Sequence, residues 1–176
     1  MITFSRITDP SHLYFDKAFA LYATSFPQHE QRLSLSQRRI LSHPQYHCDV
    51  ILSDNRFCGI LFYWEINQLC YVEHFAILSS LRGQGIGSQA IKIFLQQHPH
   101  TLLEIDPPID DISCRRKQFY TSLGFVENPY SHLHPPYRPH FMSHPLLVMS
   151  FPDVLLPQEY QSFASFLKDV VMDSVF

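Results

Sequence analysis

The sequence predicts a single α/β domain built on one mixed sheet, and three observations carry that prediction. Runs rich in β-branched and aromatic residues alternate with runs whose apolar residues recur at helical spacing. Two of the β-rich runs flank Asp54-Asn55, a pair that tolerates the left-handed backbone of a tight hairpin turn. Three of the chain's five glycines, Gly83, Gly85 and Gly87, sit between a strand-like run and a helix-like one.

Each element has its own signal. "ITFSRI" (2–7) alternates and predicts a first strand. In "SHLYFDKAFALYATSFP", Tyr14, Phe15, Ala18, Phe19 and Tyr22 form one helical stripe, closed by Pro27. "SLSQRRILSHP" (34–44) predicts a short helix that ends before Pro44, because the residue before proline avoids helical backbone. The hairpin around Asp54-Asn55 and the run "QLCYVEHFAIL" (68–78) give a three-strand meander. After the glycines, Ile86, Ala90, Ile91, Phe94 and Leu95 mark a helix that ends near His98-Pro99. "TLLEI" (101–105) is a short buried strand. "SCRRKQFYTSLG" is a helix with Ser113 as N-cap and Gly124 as stop. "FVEN" and "PLLVMSF" are late strands, separated by the proline- and histidine-rich loop "PYSHLHPPYRPHFMSH". A last helix starts near Pro157 with Tyr160, Phe163, Leu167, Val170 and Val171 on one face. No repeat or linker interrupts the order, so residues 1–176 form one domain with a helical extension over 153–176.

Composition bounds the function. A length of 176 residues with 45% hydrophobic content suffices for one sizeable core. Thirteen basic residues face sixteen acidic ones, so no electrostatic footprint for nucleic acid exists. Cys48, Cys58, Cys70 and Cys114 form no CxxC pair and predict reduced thiols in a cytoplasmic protein. The start "MITFSRITDP" lacks the pattern of a signal peptide, and no apolar run reaches membrane-spanning length. His132, His134, His140 and His144 lie close together, but prolines interrupt them and no cysteine or carboxylate joins at a ligand spacing. A metal is not expected.

The glycine loop "RGQGIGS" points to a bound phosphate. Glycine allows unusual φ values and close approach of a ligand to the main chain. Free N–H groups at a helix N-terminus attract anions, helped by the helix dipole. A dinucleotide fingerprint fails on spacing, because Ser88 stands where the third glycine is needed. A nucleotide-hydrolase loop fails for want of a lysine before Lys92. The pattern that fits is Arg-x-x-Gly-x-Gly at Arg82, Gly85 and Gly87.

Here the chain resembles a known family. "VEHFAILSSLRGQGIGSQAIKIF" is similar to the acetyl-CoA-binding core of the GNAT acyltransferase superfamily, and "RRKQFYTSLGF" is similar to that family's FYxxxGF segment. The resemblance covers about residues 60 to 125. It implies a mostly antiparallel central sheet with splayed middle strands, flanked by helices. It implies that the backbone of Gly83, Gln84, Gly85, Ile86, Gly87 and Ser88, beside Arg82, cradles the pyrophosphate of acetyl-CoA, the cosubstrate. The edge of Phe75, Ala76 and Ile77 would pair with pantetheine. Ser113 stands where many relatives have Asn, and Arg116 would meet the 3′-phosphate. The family's tyrosine, here Tyr120, would act as general acid toward the CoA sulfur.

Transfer to an amine also needs a base. A lysine-like ammonium has a pKa of about 10.4, so freeing it at neutral pH costs ~4 kcal/mol. Glu73 is the first candidate, and Glu104 the second. Strand alternation puts Glu73 on one face with Tyr71 and Phe75, opposite His74. A purely structural pairing of Glu73 and a packing role for Tyr120 are the competing readings. The acceptor would lie among Phe26 and Glu30 of "SFPQHEQR", Tyr71, Glu104, and Tyr137 and Arg138 of the histidine loop. The function that follows is N-acetylation of a primary amine, of a small molecule in the first reading. Protein N-terminal or lysine acetylation and a non-catalytic CoA-binding module are the alternatives. The partner is then the amine alone, with no nucleic acid and no membrane, for a monomer or homodimer.

Overall fold

A computed structural model describes residues 1–173 and 175, so positions 174 and 176 of the expected C-terminal extension lie outside the described residues. The elements, in chain order, are β1 (Ile2–Ile7), α1 (Phe15–Ser25), α2 (Ser34–Arg39), β2 (Tyr46–Ser53), β3 (Arg56–Ile66), β4 (Leu69–Ile77), α3 (Ile86–Gln97), β5 (Thr101–Ile105), α4 (Asp111–Ser122), β6 (Val126–Glu127), β7 (His132–His134), β8 (His144–Phe151) and α5 (Pro157–Phe166). They form an eight-stranded sheet in the order β1-β2-β3-β4-β5-β8-β6, with β7 also paired to β8. The pairing is antiparallel except between β4 and β5.

Local chemistry explains the turns. Asp54 and Asn55 adopt φ of 50° and 61°, which lets β2 and β3 join through two residues. Gly124 takes φ of 94° and ends α4. Ser113 is not the N-cap of that helix, as the sequence suggested. Asp110 is, and its carboxylate accepts from the N–H groups of Ile112 and Ser113 at 2.9 and 2.8 Å. Ser113 occupies the reciprocal place of the capping box, one turn inside.

The sheet buries both faces. One face carries Phe62, Trp64 and Tyr71 against α1 and α5 through Ala18, Tyr22 and Phe163. The other carries Leu61, Tyr63 and Val72 against α3 and α4 through Ile91, Phe94, Tyr120 and Phe125. Ala90, Ile91, Phe94 and Leu95 of α3 are all buried, as their spacing predicted, and each large side chain contributes roughly 1.5–3 kcal/mol of burial. The helix α5 packs Phe163 against Tyr71 and passes into a π-helical turn, Leu167–Val171, that buries Leu167 and Val171.

The histidine-rich segment is not wholly loop. Its "HLH" forms β7, with His132 and His134 buried and Leu133 exposed between them. That is strand alternation with polar residues facing in. The four cysteines are free thiols. Among the described residues no helix is long and apolar enough to cross a membrane.

Candidate active site

The strands β4 and β5 pair only from Cys70↔Thr101 to Val72↔Leu103. Beyond Val72, β4 continues to Ile77 without β5 beside it, and a cleft of about 820 Å³ opens there. Its wall is Phe75, Ala76 and Ile77, its mouth is Arg82, Gly83, Gly85, Ile86, Gly87 and Ser88, and α4 closes it with Arg116, Phe119 and Tyr120.

The opening of the cleft is phosphate-like in its demands. Gly83 and Gly85 have φ of 76° and 77°, a region other residues enter at a cost. Gly85 caps α3 with no side-chain hydrogen bond, so the first N–H groups of a twelve-residue helix stay uncapped. Gly87 has a third role, since a Cβ there would sit 3.4 Å from both Ile77 and Phe75. It lets the helix approach the cleft wall. Of the cosubstrate residues expected from sequence, only Gln84 and Ser113 lie off the cleft. Gln84 Nε2 donates to the Ser80 carbonyl, and the Ser113 hydroxyl is taken by Asp110. A contact from the Ser113 side chain to pantetheine is therefore not available.

Tyr120 is buried, yet its ring lines the cleft. Burial pushes its hydroxyl up to about 12, with Arg116 opposing, so it is protonated at neutral pH. Among the described residues its hydroxyl donates to no protein acceptor.

A second, smaller cavity of about 50 Å³ adjoins the inner end and shares Glu30, Glu73, Glu104 and Arg116 with the cleft. A register shift sets its shape. His74 pairs with Phe62, but Val72 pairs with Tyr63, so Glu73 is the extra residue of a β-bulge. The bulge turns Glu73 and His74 to the same side. Glu73 does share a face with Tyr71, but His74 joins it and Phe75 goes to the other face. Simple alternation from sequence missed this.

Glu73 is fully buried beside Arg32, with Oε1 2.5 Å from Nη2. It also accepts from Trp64 Nε1 at 2.7 Å and from the Tyr137 hydroxyl at 2.8 Å. Burial pushes its carboxyl up, but Arg32, His74, Trp64 and Tyr137 outweigh that and hold it below the usual range. A carboxylate held by three donors is a poor proton acceptor, which counts against the base role that sequence suggested. Arg32 in turn donates to the Val171 carbonyl at 2.8 Å and lies over the Trp64 and Tyr137 rings. The C-terminal segment is thereby tied to β4.

Glu104 sits in a comparable nest. Tyr71 donates its hydroxyl to Oε2, and His132 Nε2 lies against Oε1. Burial raises it, but His134, His132 and Tyr71 together hold it below the usual carboxylate range. Glu30 is different. It is partly exposed, its Oε1 lies 3.5 Å from His29 Nε2, and burial pushes it up to about 7, with Asp106 adding and Arg116 opposing. Phe26 and Glu30 line the large cleft, and Tyr71 and Tyr137 line the small cavity. Arg138 lines neither; its Nε donates to the Gln31 carbonyl at 3.2 Å and fastens the histidine segment over the site. Sequence reasoning passed over the sites of Trp64, Asp106 and Arg32, and gave no site role to His74. It is buried, with Nε2 2.9 Å from the Glu30 carbonyl. Among the described residues no group of three or more His, Cys, Asp or Glu is placed to hold a metal ion.

Comparison with known proteins fits this geometry. Residues 13–125 match the family model described as "Acetyltransferase (GNAT) family". A putative GNAT-family acetyltransferase from Bacteroides thetaiotaomicron superposes with a TM-score of 0.91 at 25% identity, covering 97% of this chain and 98% of that one. The ribosomal-protein-S18-alanine N-acetyltransferase from Escherichia coli gives 0.58 at 15% identity over 90% and 97% of the two chains. An aminoglycoside 6'-N-acetyltransferase complexed with coenzyme A gives 0.60 at 12% identity over 88% and 99%. No curated protein matches the chain in sequence.

Proposed function

The chain belongs to the GNAT acetyltransferase family, and from that premise we propose that it transfers the acetyl group of acetyl-CoA to a primary amine of a small molecule. The observation that carries the proposal is the joined pair of cavities. One is a long cleft with an anion-ready mouth and a protonated tyrosine. The other is a small chamber walled by carboxylates and histidines.

Acetyl-CoA would lie with its pyrophosphate on the N–H groups of residues 83–88 and its pantetheine arm along Phe75–Ile77. The unpaired edge of β4 would add hydrogen bonds to that arm and polarise the thioester carbonyl. Glu30, ionised in part at neutral pH, would draw the acceptor ammonium to the junction of the cavities. Glu73 would fix Arg32, Trp64 and Tyr137 around the acceptor rather than take its proton. Tyr120 would donate to the sulfur as the carbon–sulfur bond breaks.

A roofed chamber favours a small acceptor. Tyr137 is buried, and Arg138 bridges the histidine segment to the turn after α1, which supports a small acceptor over an extended peptide. Protein acetylation remains the second reading, because one structural neighbour is named for acting on a ribosomal protein.

The test is a thermal-shift assay with acetyl-CoA, NAD and ATP, followed by a panel of primary amines with thiol release as readout. Acetyl-CoA should raise Tm, since a ligand bound only to the folded state stabilises it, by about 2.7 kcal/mol at a hundredfold excess over Kd. A shift with NAD and none with acetyl-CoA would sink the proposal.

The glycine loop has its own check. A side chain at Gly85 meets nothing within 4 Å, so Gly85→Val should fold. Its φ of 77° is strained for a branched residue, at roughly 1–3 kcal/mol. The loop should relax out of its ligand-ready form and lose ~10–100-fold in acetyl-CoA affinity by calorimetry, with circular dichroism unchanged. Wild-type affinity would mean that this loop does not hold the phosphates.

A further inference from the structure

The histidine segment supplies a group that the proposed chemistry still lacks. His134 is 2% exposed and lines the acceptor chamber. Its Nδ1 lies 2.6 Å from the Pro135 carbonyl, an acceptor only, so Nδ1 carries the hydrogen. The lone pair is then on Nε2, which has no hydrogen-bond partner. Glu104 Oε2 lies 3.7 Å from it, too far for a hydrogen bond but close enough to stabilise a proton placed on that nitrogen. A buried nitrogen lone pair with no donor is costly to leave unfilled. A ligand that brings an N–H group would fill it.

We infer that His134 is the proton acceptor for the attacking amine, with Glu104 as the fixed counter-charge for the imidazolium that forms. This rests on the acetyltransferase reading above. The ammonium gives one proton to His134 Nε2, directly or through a water. The neutral amine nitrogen then attacks the thioester carbon. The carbon–sulfur bond breaks, and the proton shed by the acylated nitrogen accompanies the sulfur to give the free thiol. His134 returns its proton to solvent, so the net products are the amide, the CoA thiol and one proton.

The neighbours of His134 support this choice from every side. Glu104 faces it from β5, His144 from β8 with rings 5.7 Å apart, and Tyr137 stacks on it at 4.8 Å from the same segment. His74 and Tyr71 on β4 are the remaining rings in the chamber, and Glu30, Glu73, Asp106 and Arg116 are its other ionisable lining. Burial lowers both His74 and His144 and outweighs the opposing pull of Glu73 on the first and Glu104 on the second. His132 touches Glu104 but has no free nitrogen, because Nδ1 engages the Tyr160 hydroxyl at 2.9 Å. Glu73 is occupied by Arg32. His74 and His144 each also have a buried unpartnered nitrogen, but among the described residues of the chamber it is His134 that places such a nitrogen within 4 Å of a buried carboxylate.

Two measurements test it. The first is nitrogen-15 NMR of histidine-labelled full-length protein, which needs no acceptor. His134 should titrate from an Nδ1–H tautomer, and Glu104→Gln should move its midpoint to lower pH, since a negative neighbour is removed while hydrogen-bond acceptors remain. The second is kcat/KM against pH with whichever amine of the panel the wild type acetylates fastest. The wild-type profile should fall on the acid side as His134 becomes protonated. His134→Gln should lose about 10²-fold or more at neutral pH and lose that acid limb, with the acetyl-CoA melting shift kept. Glu104→Gln should displace the limb to lower pH, and both variants are read in a Glu30→Gln background, because Glu30 itself is pushed up to about 7 and would add a limb of its own. An Nε2–H tautomer in the wild type, or undiminished turnover in His134→Gln, would overturn the assignment. Acetyl-CoA binding without transfer to any amine would overturn the acetyltransferase reading itself, and the assignment with it.

Discussion

Arg32→Met is expected to destabilise the protein by about 3–5 kcal/mol, the usual result of removing one partner from a buried ion pair. Both side chains of the Arg32–Glu73 pair are fully enclosed. Without Arg32, the Glu73 carboxylate keeps Trp64 and Tyr137 as neutral donors but loses its counter-charge. The Val171 carbonyl also loses its donor, so the C-terminal segment loosens with the site. For a chain of this size, such a change corresponds to a drop in Tm on the order of 6–20 °C. The pH dependence has a definite sign. In the wild type Glu73 is held below its ordinary value, so its contribution exists above the unfolded pKa and fades as pH falls through the folded one. In the variant, burial is left without Arg32 to oppose it, so Glu73 rises above its ordinary value. It then weakens the fold as pH climbs through that raised value. The difference in Tm should therefore narrow as pH falls from 7 toward 5, measured by calorimetry. Adding Glu73→Gln to Arg32→Met should recover part of the loss, because no buried charge remains. Equal stability of Arg32→Met and wild type at pH 7 would remove the pair from the structural account.

The sequence made the cosubstrate half of the site legible and left the acceptor half obscure, for a physical reason. A phosphate loop needs backbone shapes that few residues allow, so Gly83 and Gly85 leave a local trace at their own positions. The succession of elements was legible for a similar reason, since turn residues such as Asp54 and Asn55 and the apolar stripe of α3 are short-range signals. The acceptor chamber is assembled from residues far apart in sequence. Arg32, Trp64, Glu73 and Tyr137 meet only through tertiary packing, and no spacing records that. The bulge at Glu73 inverted the phase of β4 halfway along, where strict alternation gave the wrong face to Phe75 and His74. One signal was available and went unused. The triplet His132-Leu133-His134 alternates polar and apolar, and that pattern inverted, with histidines inside, marks a strand facing a polar chamber.

The same contrast separates the two buried glutamates. Glu73 is paired with a permanent cation, because guanidinium does not lose its proton at any accessible pH. Glu104 is paired with imidazoles, which do. The first arrangement is suited to holding a shape and the second to moving a proton. Sequence ranked Glu73 first and Glu104 second as candidate bases. Their partners, brought in from the segment between α1 and α2, from β7 and from the loop around Tyr137, distinguish them.

Tyr120→Phe is expected to lower kcat by about 10²-fold, with acetyl-CoA affinity nearly unchanged, at the lower end of what general acid help provides. The magnitude follows from the hydroxyl's own acidity. Burial holds it at about 12. A thiol ionises near 8.5, so full proton transfer from Tyr120 to a thiolate is uphill by roughly three units. The hydroxyl therefore acts chiefly as a hydrogen-bond donor to the charge that develops on sulfur, and water entering the cleft would replace part of that help. Packing should survive the change, since the ring keeps its edge-to-face contacts with Phe119 and Phe125 at 5.1 and 5.5 Å. No protein acceptor is lost with the oxygen, so stability should hold within about 0.5 kcal/mol of wild type. The defect should also be flat between pH 6 and 9, because a group titrating near 12 does not change state there. That flatness separates Tyr120 from His134, whose loss should erase an acid limb. Rapid-mixing kinetics of thiol release across this range, with the best amine of the panel, provides the measurement. Wild-type turnover in Tyr120→Phe would leave the ring as packing alone, and a defect that grows toward low pH would assign the hydroxyl to a step coupled to a titrating neighbour instead.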